Sequence, residues 1–177
     1  MAKQTEFRLT GSGGQGLILA GIILAESAII KGDNAVQSQS YGPEARGGAS
    51  KAEVIISTEE IDFPKVRKAD IMLSLTQVAL DKYADTIKED AILVVDAELE
   101  IPSNLKAGKI VSIPILNTAK EVVGKSMVAN IVALGAIQEL TNIIPKEYLE
   151  EAVLSRVPRG TEELNKRALQ EGYNLVK

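Results

Sequence analysis

The sequence predicts an α/β fold: an open, mainly parallel, Rossmann-like sheet with helices on both faces and a helical C-terminal third. Three observations lead there. Short apolar runs such as "ADIMLSL", "AILVVD" and "KIVSIPI" have the length and composition of strands buried on both faces. Segments with helical spacing lie between them, and that alternation gives a parallel sheet. A glycine-rich turn joins the first strand-like run to the first helix-like run. The 177 residues suit a single domain, 1–177, with no repeat, low-complexity stretch or linker to divide them.

The elements follow in order. "EFRLTG" is the first strand, and residues 14–31 form the first helix. Inside that helix "LILAGIILAESAII", residues 17–30, is almost wholly apolar. It has 14 residues and carries Glu26, short of the roughly 20 apolar residues of a membrane span. It reads as a helix buried against the sheet, with a covering layer outside that a partner subunit could supply. "AVQSQSYG" gives a second strand, and "ASKAEVIIST" alternates to direct Ala52, Val54 and Ile56 inward. "ADIMLSL" is the next strand. In "TQVALDKYADTIK", Leu80, Tyr83, Ala84 and Ile87 recur at i, i+3, i+4 and i+7, one face of a helix. "AILVVD" and "KIVSIPI" are further strands. Thr118 to Glu121, "TAKE", has the spacing of a capping box, and Gly124 ends that short helix. "SMVANIVALGAIQEL" is a long packed helix. Pro145 starts "PKEYLEEAVLSRV", and "TEELNKRALQEGYNLV" completes the helical third.

Composition removes several function classes. The net charge is −4, so no basic excess exists to neutralise the phosphates of a nucleic acid. Cysteine is absent, which excludes a disulfide, a cysteine nucleophile and thiolate ligation of an iron–sulfur cluster by this chain. Histidine is absent too, which removes the usual base near neutral pH and the commonest metal ligand. "MAKQTEFRLTG" lacks the apolar core of a signal peptide. The expectation is a cytoplasmic protein without membrane or nucleic-acid partners.

Two stretches carry the functional signal. The first is "LTGSGGQGLILAG", with Gly11, Gly13 and Gly16 at the spacing of a dinucleotide-binding turn. Ser12, Gly14 and Gln15 fill the loop. Glycines there let backbone N–H groups approach an anion at a helix N-terminus. An NAD site also needs an acid after the second strand, to hold the ribose hydroxyls. Here that strand ends "QSQSYGPE": Asp33 precedes it, and Glu44 lies beyond a Gly-Pro turn. No Gly-Lys-Ser/Thr follows the loop, so it is not a Walker loop either. The alternatives are an anion or cofactor site, or a turn that packs strand on helix or meets another chain. The second stretch is "SQSYGPEARGGASKAEV", where Ser40, Tyr41, Gly42, Pro43, Glu44, Arg46, Gly47 and Gly48 stand close together. Arg46 offers a planar fork suited to a carboxylate or phosphate. A brace between Arg46 and Glu44 in solvent is the plainer alternative.

Together, "GSGGQGLILAGIILAESA" and "QSYGPEARGGASKAEVIIS" resemble the gamma subunit, or gamma domain, of the 2-oxoacid:ferredoxin oxidoreductases. "FPKVRKADIMLSLTQVALDKY", "NIVALGAI" and the terminal "LQEGY" fit as well, so the resemblance spans nearly the whole chain. It looks closest to the 2-oxoglutarate type, with the 2-oxoisovalerate and pyruvate types near. The resemblance implies an accessory subunit of an enzyme of anaerobic metabolism. That enzyme converts a 2-oxoacid, coenzyme A and oxidised ferredoxin into acyl-CoA, carbon dioxide and reduced ferredoxin. Alpha and beta subunits would hold thiamine diphosphate with Mg2+, and a ferredoxin-like delta subunit the iron–sulfur clusters. This chain would bind none of these cofactors alone and would help to accommodate coenzyme A. A free-standing NAD(P)-binding oxidoreductase is the rival reading, and a purely structural protein of the same fold is another.

Overall fold

The computed structural model describes residues 4–40 and 48–177. Six strands form one sheet, β1 (Gln4–Gly11), β2 (Asn34–Gln39), β3 (Ser50–Ser57), β4 (Ala69–Ser74), β5 (Ile87–Asp96) and β6 (Lys109–Ile113), in the order β2-β3-β1-β4-β5-β6. The β1–β4, β4–β5 and β5–β6 pairs are parallel, and β3 is antiparallel to both β1 and β2. Only β3 therefore runs against the rest, and the sheet is mainly parallel.

The helices divide unequally between the faces. One face carries Phe7, Leu9, Ala52, Val54, Ile71, Leu73 and Val94. Against it lie α1 (Leu17–Lys31), α3 (Ile115–Asn117) with its π-helical continuation Thr118–Val123, α4 (Ala129–Thr141), α5 (Lys146–Arg156) and α6 (Glu162–Asn174). The other face carries Ile55, Met72, Leu93 and Val95 and is covered by α2 (Gln77–Tyr83) through Ala79, Leu80 and Tyr83. Both faces are filled, which is why the strands read as continuous apolar runs. On the α2 face Arg8 is buried at 3% exposure and its guanidinium is fully engaged. It donates to Glu53 at 2.8 Å, to the Thr86 hydroxyl at 2.6 Å and to the Val66 carbonyl at 2.9 Å. A buried charge needs this many partners to offset its lost hydration.

Some expectations are redrawn. The first helix begins at Leu17, because residues 12–16 form the glycine loop. α2 stops at Tyr83, and Ile87 opens β5 instead of extending a helix face, though it is still buried. Thr118 caps nothing: it sits inside a continuous helical run from Ile115 to Val123, which Gly124 ends at φ 98°. The layer over α1 comes from this chain, as α5 and α4 pack across it and Arg156 bonds Glu26 at 2.6 Å. The apolar α4 is likewise covered from within, buried from Ala129 to Gln138.

The tightest packing is between α4 and α6. Gly135 and Gly172 face each other at the crossing, and a Cβ on Gly172 would lie 2.9 Å from the Gly135 Cα. Backbone meets backbone there, so the helices are closer than any larger pair of residues would permit. Nearby, burial and the Glu150 and Glu139 carboxylates push the Tyr173 hydroxyl up to about 12. Lys146 sits 4.4 Å above its ring. Gly172→Ala is expected to lower the unfolding free energy by about 1–3 kcal/mol, the usual cost of overpacking. Chemical denaturation checks it, and an unchanged midpoint contradicts the crossing.

Candidate functional site

The fold selects one place for a site. The chain leaves β1 through α1 towards β2, on one side and one face. It leaves the neighbouring parallel strand β4 through α2 towards β5, on the other side and the other face. The two connections diverge at the carboxyl ends of β1 and β4, the kind of switch point at which open α/β sheets bind ligands. The Thr10 hydroxyl donates to the Leu73 carbonyl at 2.7 Å, so Ser74 is the donor in the 2.7 Å hydroxyl pair it forms with Thr10. The Leu75 N–H reaches the Thr10 carbonyl at 3.1 Å. These groups are spent on joining the strands.

The glycine loop follows β1. Gly11 ends β1 beside Ser50 of β3. The Gln15 side chain folds back to accept the Ser12 N–H at 2.8 Å, over the Gly11 Cα where a side chain would collide with it. Gly13 and Gly14 are exposed at the tip. The positive φ values fall on Gly14, 88°, and Gly16, 74°, and not on Gly13. Gly16 is the N-cap of α1, has no side-chain capping bond, and no acidic residue stands in the first turn. Among the described residues no side chain caps the first N–H groups of this 15-residue helix, and no acid in its first turn offsets the positive end of its dipole.

The second motif meets the first. Ser40 follows β2 and its N–H donates to the Lys51 carbonyl at 3.3 Å. Gly48 and Ala49 lead into β3, whose first residue, Ser50, lies beside Gly11. The β2–β3 hairpin and the glycine loop therefore occupy the same end of the sheet. Ser40 Oγ is buried without a hydrogen-bond partner among the described residues, a state that buried hydroxyls seldom occupy. Tyr41, Gly42, Pro43, Glu44, Arg46 and Gly47 lie outside the described residues.

An NAD site fits this arrangement poorly. In a dinucleotide fold the ribose-binding acid ends the strand next to β1. Here the antiparallel β3 stands between β1 and β2, and β2 ends in Gln39 and Ser40. Exposed apolar side chains frame the same end of the sheet instead. Val78, 58% exposed, is in the first turn of α2, directly after β4. Met127, 75% exposed, precedes α4 in a 3-10 turn, three residues before Asn130, whose side chain touches Gly16. Sequence reasoning did not single out Asn130, Val78 or Met127. The one signal for Asn130 was a lone carboxamide in the apolar run "MVANIVALGAI". An open cleft of about 490 Å³ lies elsewhere, between α2, the start of β5 and residues 102–106. Its wall mixes Lys68 and Lys106 with Asp81, Asp85 and Glu89, and neither sequence motif reaches it. Among the described residues no helix is long and apolar enough to cross a membrane.

The loop geometry separates two glycine variants. A Cβ on Gly14 meets open space, so Gly14→Ala carries only the left-handed backbone cost of about 1–2 kcal/mol. A Cβ on Gly16 would also lie 2.9 Å from the Asn130 Cγ. Gly16→Ala is expected to be the more destabilising by about 1 kcal/mol or more. Equal denaturation midpoints for the two variants would contradict the geometry.

Known proteins agree with the fold and extend it. Residues 6–175 match the family described as pyruvate ferredoxin/flavodoxin oxidoreductase. The chain is 51% identical over 175 residues to a 2-oxoglutarate synthase subunit, KorC, of Methanocaldococcus jannaschii, covering 97% of this chain and 94% of that protein. The crystal structure of a keto/oxoacid ferredoxin oxidoreductase gamma subunit from Geobacter sulfurreducens PCA superposes with a TM-score of 0.89 at 50% identity, covering 99% of this chain and 97% of the other. A pyruvate oxidoreductase subunit, PORC, from Thermotoga maritima superposes with a TM-score of 0.83 at 26% identity, covering 99% and 98%. With the match running through both glycine motifs and on to α6, the chain belongs to the pyruvate ferredoxin/flavodoxin oxidoreductase family.

Proposed function

We propose that this chain is the gamma subunit of a 2-oxoglutarate:ferredoxin oxidoreductase, acting as one domain over residues 1–177. The observation that carries the substrate is the 51% identity to a 2-oxoglutarate synthase subunit along nearly the full length, against 26% to the pyruvate subunit. The enzyme oxidatively decarboxylates 2-oxoglutarate: the carboxylate leaves as carbon dioxide, the acyl group passes to the coenzyme A sulfur, and two electrons leave one at a time for ferredoxin. Thiamine diphosphate with Mg2+ on alpha and beta subunits supplies the carbanion chemistry, and iron–sulfur clusters on a ferredoxin-like delta subunit carry the electrons. This chain, with no cysteine and no histidine, supplies neither thiolate ligands nor an imidazole base. It works in the cytoplasm as a binding and assembly subunit.

Its own residues act at the carboxyl end of the sheet. The first-turn amides of α1 and the tip amides of Gly13 and Gly14 suit a phosphate of coenzyme A or a carboxylate of a neighbouring subunit. The Ser40 hydroxyl, unpartnered among the described residues, stands at the same end of the sheet after β2. Arg46 offers its fork to an anion, and Tyr41 and Pro43 are further candidates in the 40–48 segment for contact with a partner. Met127 and Val78 lose their water against the thiamine diphosphate-bearing subunits.

Two experiments test this reading. Co-expression with the thiamine diphosphate-bearing and cysteine-rich subunits should give a complex that reduces a viologen dye with 2-oxoglutarate and coenzyme A. The purified single chain should show no turnover and no NAD binding by calorimetry. Turnover by the single chain, or tight NAD binding, refutes the subunit reading, and a complex that prefers pyruvate refutes the substrate. In the complex, Arg46→Ala should cost about 2–5 kcal/mol in subunit or coenzyme A affinity, the effect of leaving a desolvated charge unmatched. A change within about 1 kcal/mol would mark Arg46 as a solvated surface charge.

A further inference from the structure

Asn130 is the second residue of α4 and is 4% exposed, inside an otherwise apolar run. A buried carboxamide has to place its donors and its acceptor. Its Oδ1 accepts the Ile131 N–H at 2.9 Å, a contact within its own helix. Its Nδ2 does something different. It donates to the Gly16 carbonyl at 3.1 Å, across 114 positions of sequence. The same carbonyl accepts the Ala20 N–H at 3.0 Å, so both of its lone pairs are used. The carboxamide also lies over the Gly16 Cα, where a Cβ would run into it. Gly16 is thus fixed three ways: by the first turn of α1, by a left-handed φ of 74°, and by Asn130.

What Asn130 hangs from is rigid. α4 is buried from Ala129 to Gln138 and is locked to α6 at the Gly135–Gly172 crossing. The opposite end of the loop is tied to the sheet, with Gly11 beside Ser50 and the Gln15 side chain closing on the Ser12 N–H. Gly13 and Gly14 lie exposed between the two anchors. A residue that served only its helix end would need the Oδ1 contact alone.

We infer that Asn130 is a positioning residue: through Gly16 it sets where the tip amides of the glycine loop and the first turn of α1 stand at the carboxyl end of the sheet. The inference rests on the reading that this loop binds coenzyme A or a partner chain.

The test uses the assembled enzyme carrying Asn130→Leu, which approximates the size, adds no charge and removes the donor to Gly16 together with the Oδ1 acceptor. Asn130→Ser, a smaller change, serves as the second variant in case the first fails to assemble. Three quantities are read: amide exchange of residues 11–20, subunit affinity, and the split between kcat and the KM for coenzyme A. Exchange at Gln15 and Ala20 should rise about fivefold to tenfold, the factor that corresponds to losing one buried hydrogen bond, while exchange in β4 and β5 stays constant. The KM for coenzyme A, or the dissociation constant for the partner subunits, should rise by a similar factor with kcat held within about twofold. Unchanged exchange in both variants overturns the positioning role. Raised exchange throughout the chain also overturns it, because Asn130 would then be a general stability residue. Raised exchange confined to the loop, with KM and assembly unchanged, supports the positioning and refutes the binding role of the loop.

Discussion

The β1 ladder constrains everything around it. β1 pairs with β3 along its whole length, from Gln4 with Ser57 to Gly11 with Ser50, and on its other edge with β4 from Phe7 to Thr10. Because β3 is antiparallel, its first residue must stand beside the last residue of β1. That geometry brings the hairpin after β2 and the loop after β1 to one end of the sheet, though the motifs lie about two dozen residues apart in sequence. The parallel pairing with β4 then sets the other strand of the switch point. A slip of one residue in the β1–β3 register would turn Arg8 into the apolar face under α1 and α4 and send Phe7 and Leu9 to the face of its polar network, so the register is strongly specified.

The same arrangement turns a dinucleotide-like loop to another use. A glycine turn that opens a helix presents amides to an anion whatever the rest of the fold does. Dinucleotide recognition needs a second element, an acid one strand away. The inserted β3 moves β2 outward by roughly the spacing of one strand, about 4.8 Å, and β2 carries no acid at its end. What remains at that end of the sheet is a glycine turn framed by Met127 and Val78, which we propose to be the anion-binding part of the surface. A surface of that kind suits a subunit that helps to hold a coenzyme and its neighbours.

Much of the fold was legible because both faces of the sheet are covered. Runs such as Ile71–Leu75 and Ile92–Val95 could only be strands of a filled sheet, and the apolar α4 could only be interior. The misjudged parts have local causes. Ile87 continued a helical spacing by coincidence, since the turn at Ala84–Thr86 brings it in as the first residue of β5. Thr118 matched a capping pattern, but the helix had already begun at Ile115, where the Asp96 carboxylate accepts the Leu116 N–H at 2.9 Å. The apolar surface of α1 suggested an external cover, yet α5 supplies it from a distant part of the chain. For the site, spacing identified both glycine motifs. Their meeting point depends on β3 running antiparallel to β1 and β2, a direction that the expectation of a mainly parallel sheet did not specify. The contact of Asn130 with Gly16 spans most of the chain, and no local pattern encodes it.

In the proposed assembly the glycine loop after β1 and the 40–48 segment engage the rest of the enzyme together. An experimental structure of the assembled complex with coenzyme A bound tests it most directly. Residues 12–16 and 40–48 are both expected to contact the coenzyme or the same neighbouring subunit, with Met127 and Val78 covered at the margin. Finding both segments facing solvent, with the neighbours docked on another side of the sheet, would contradict it.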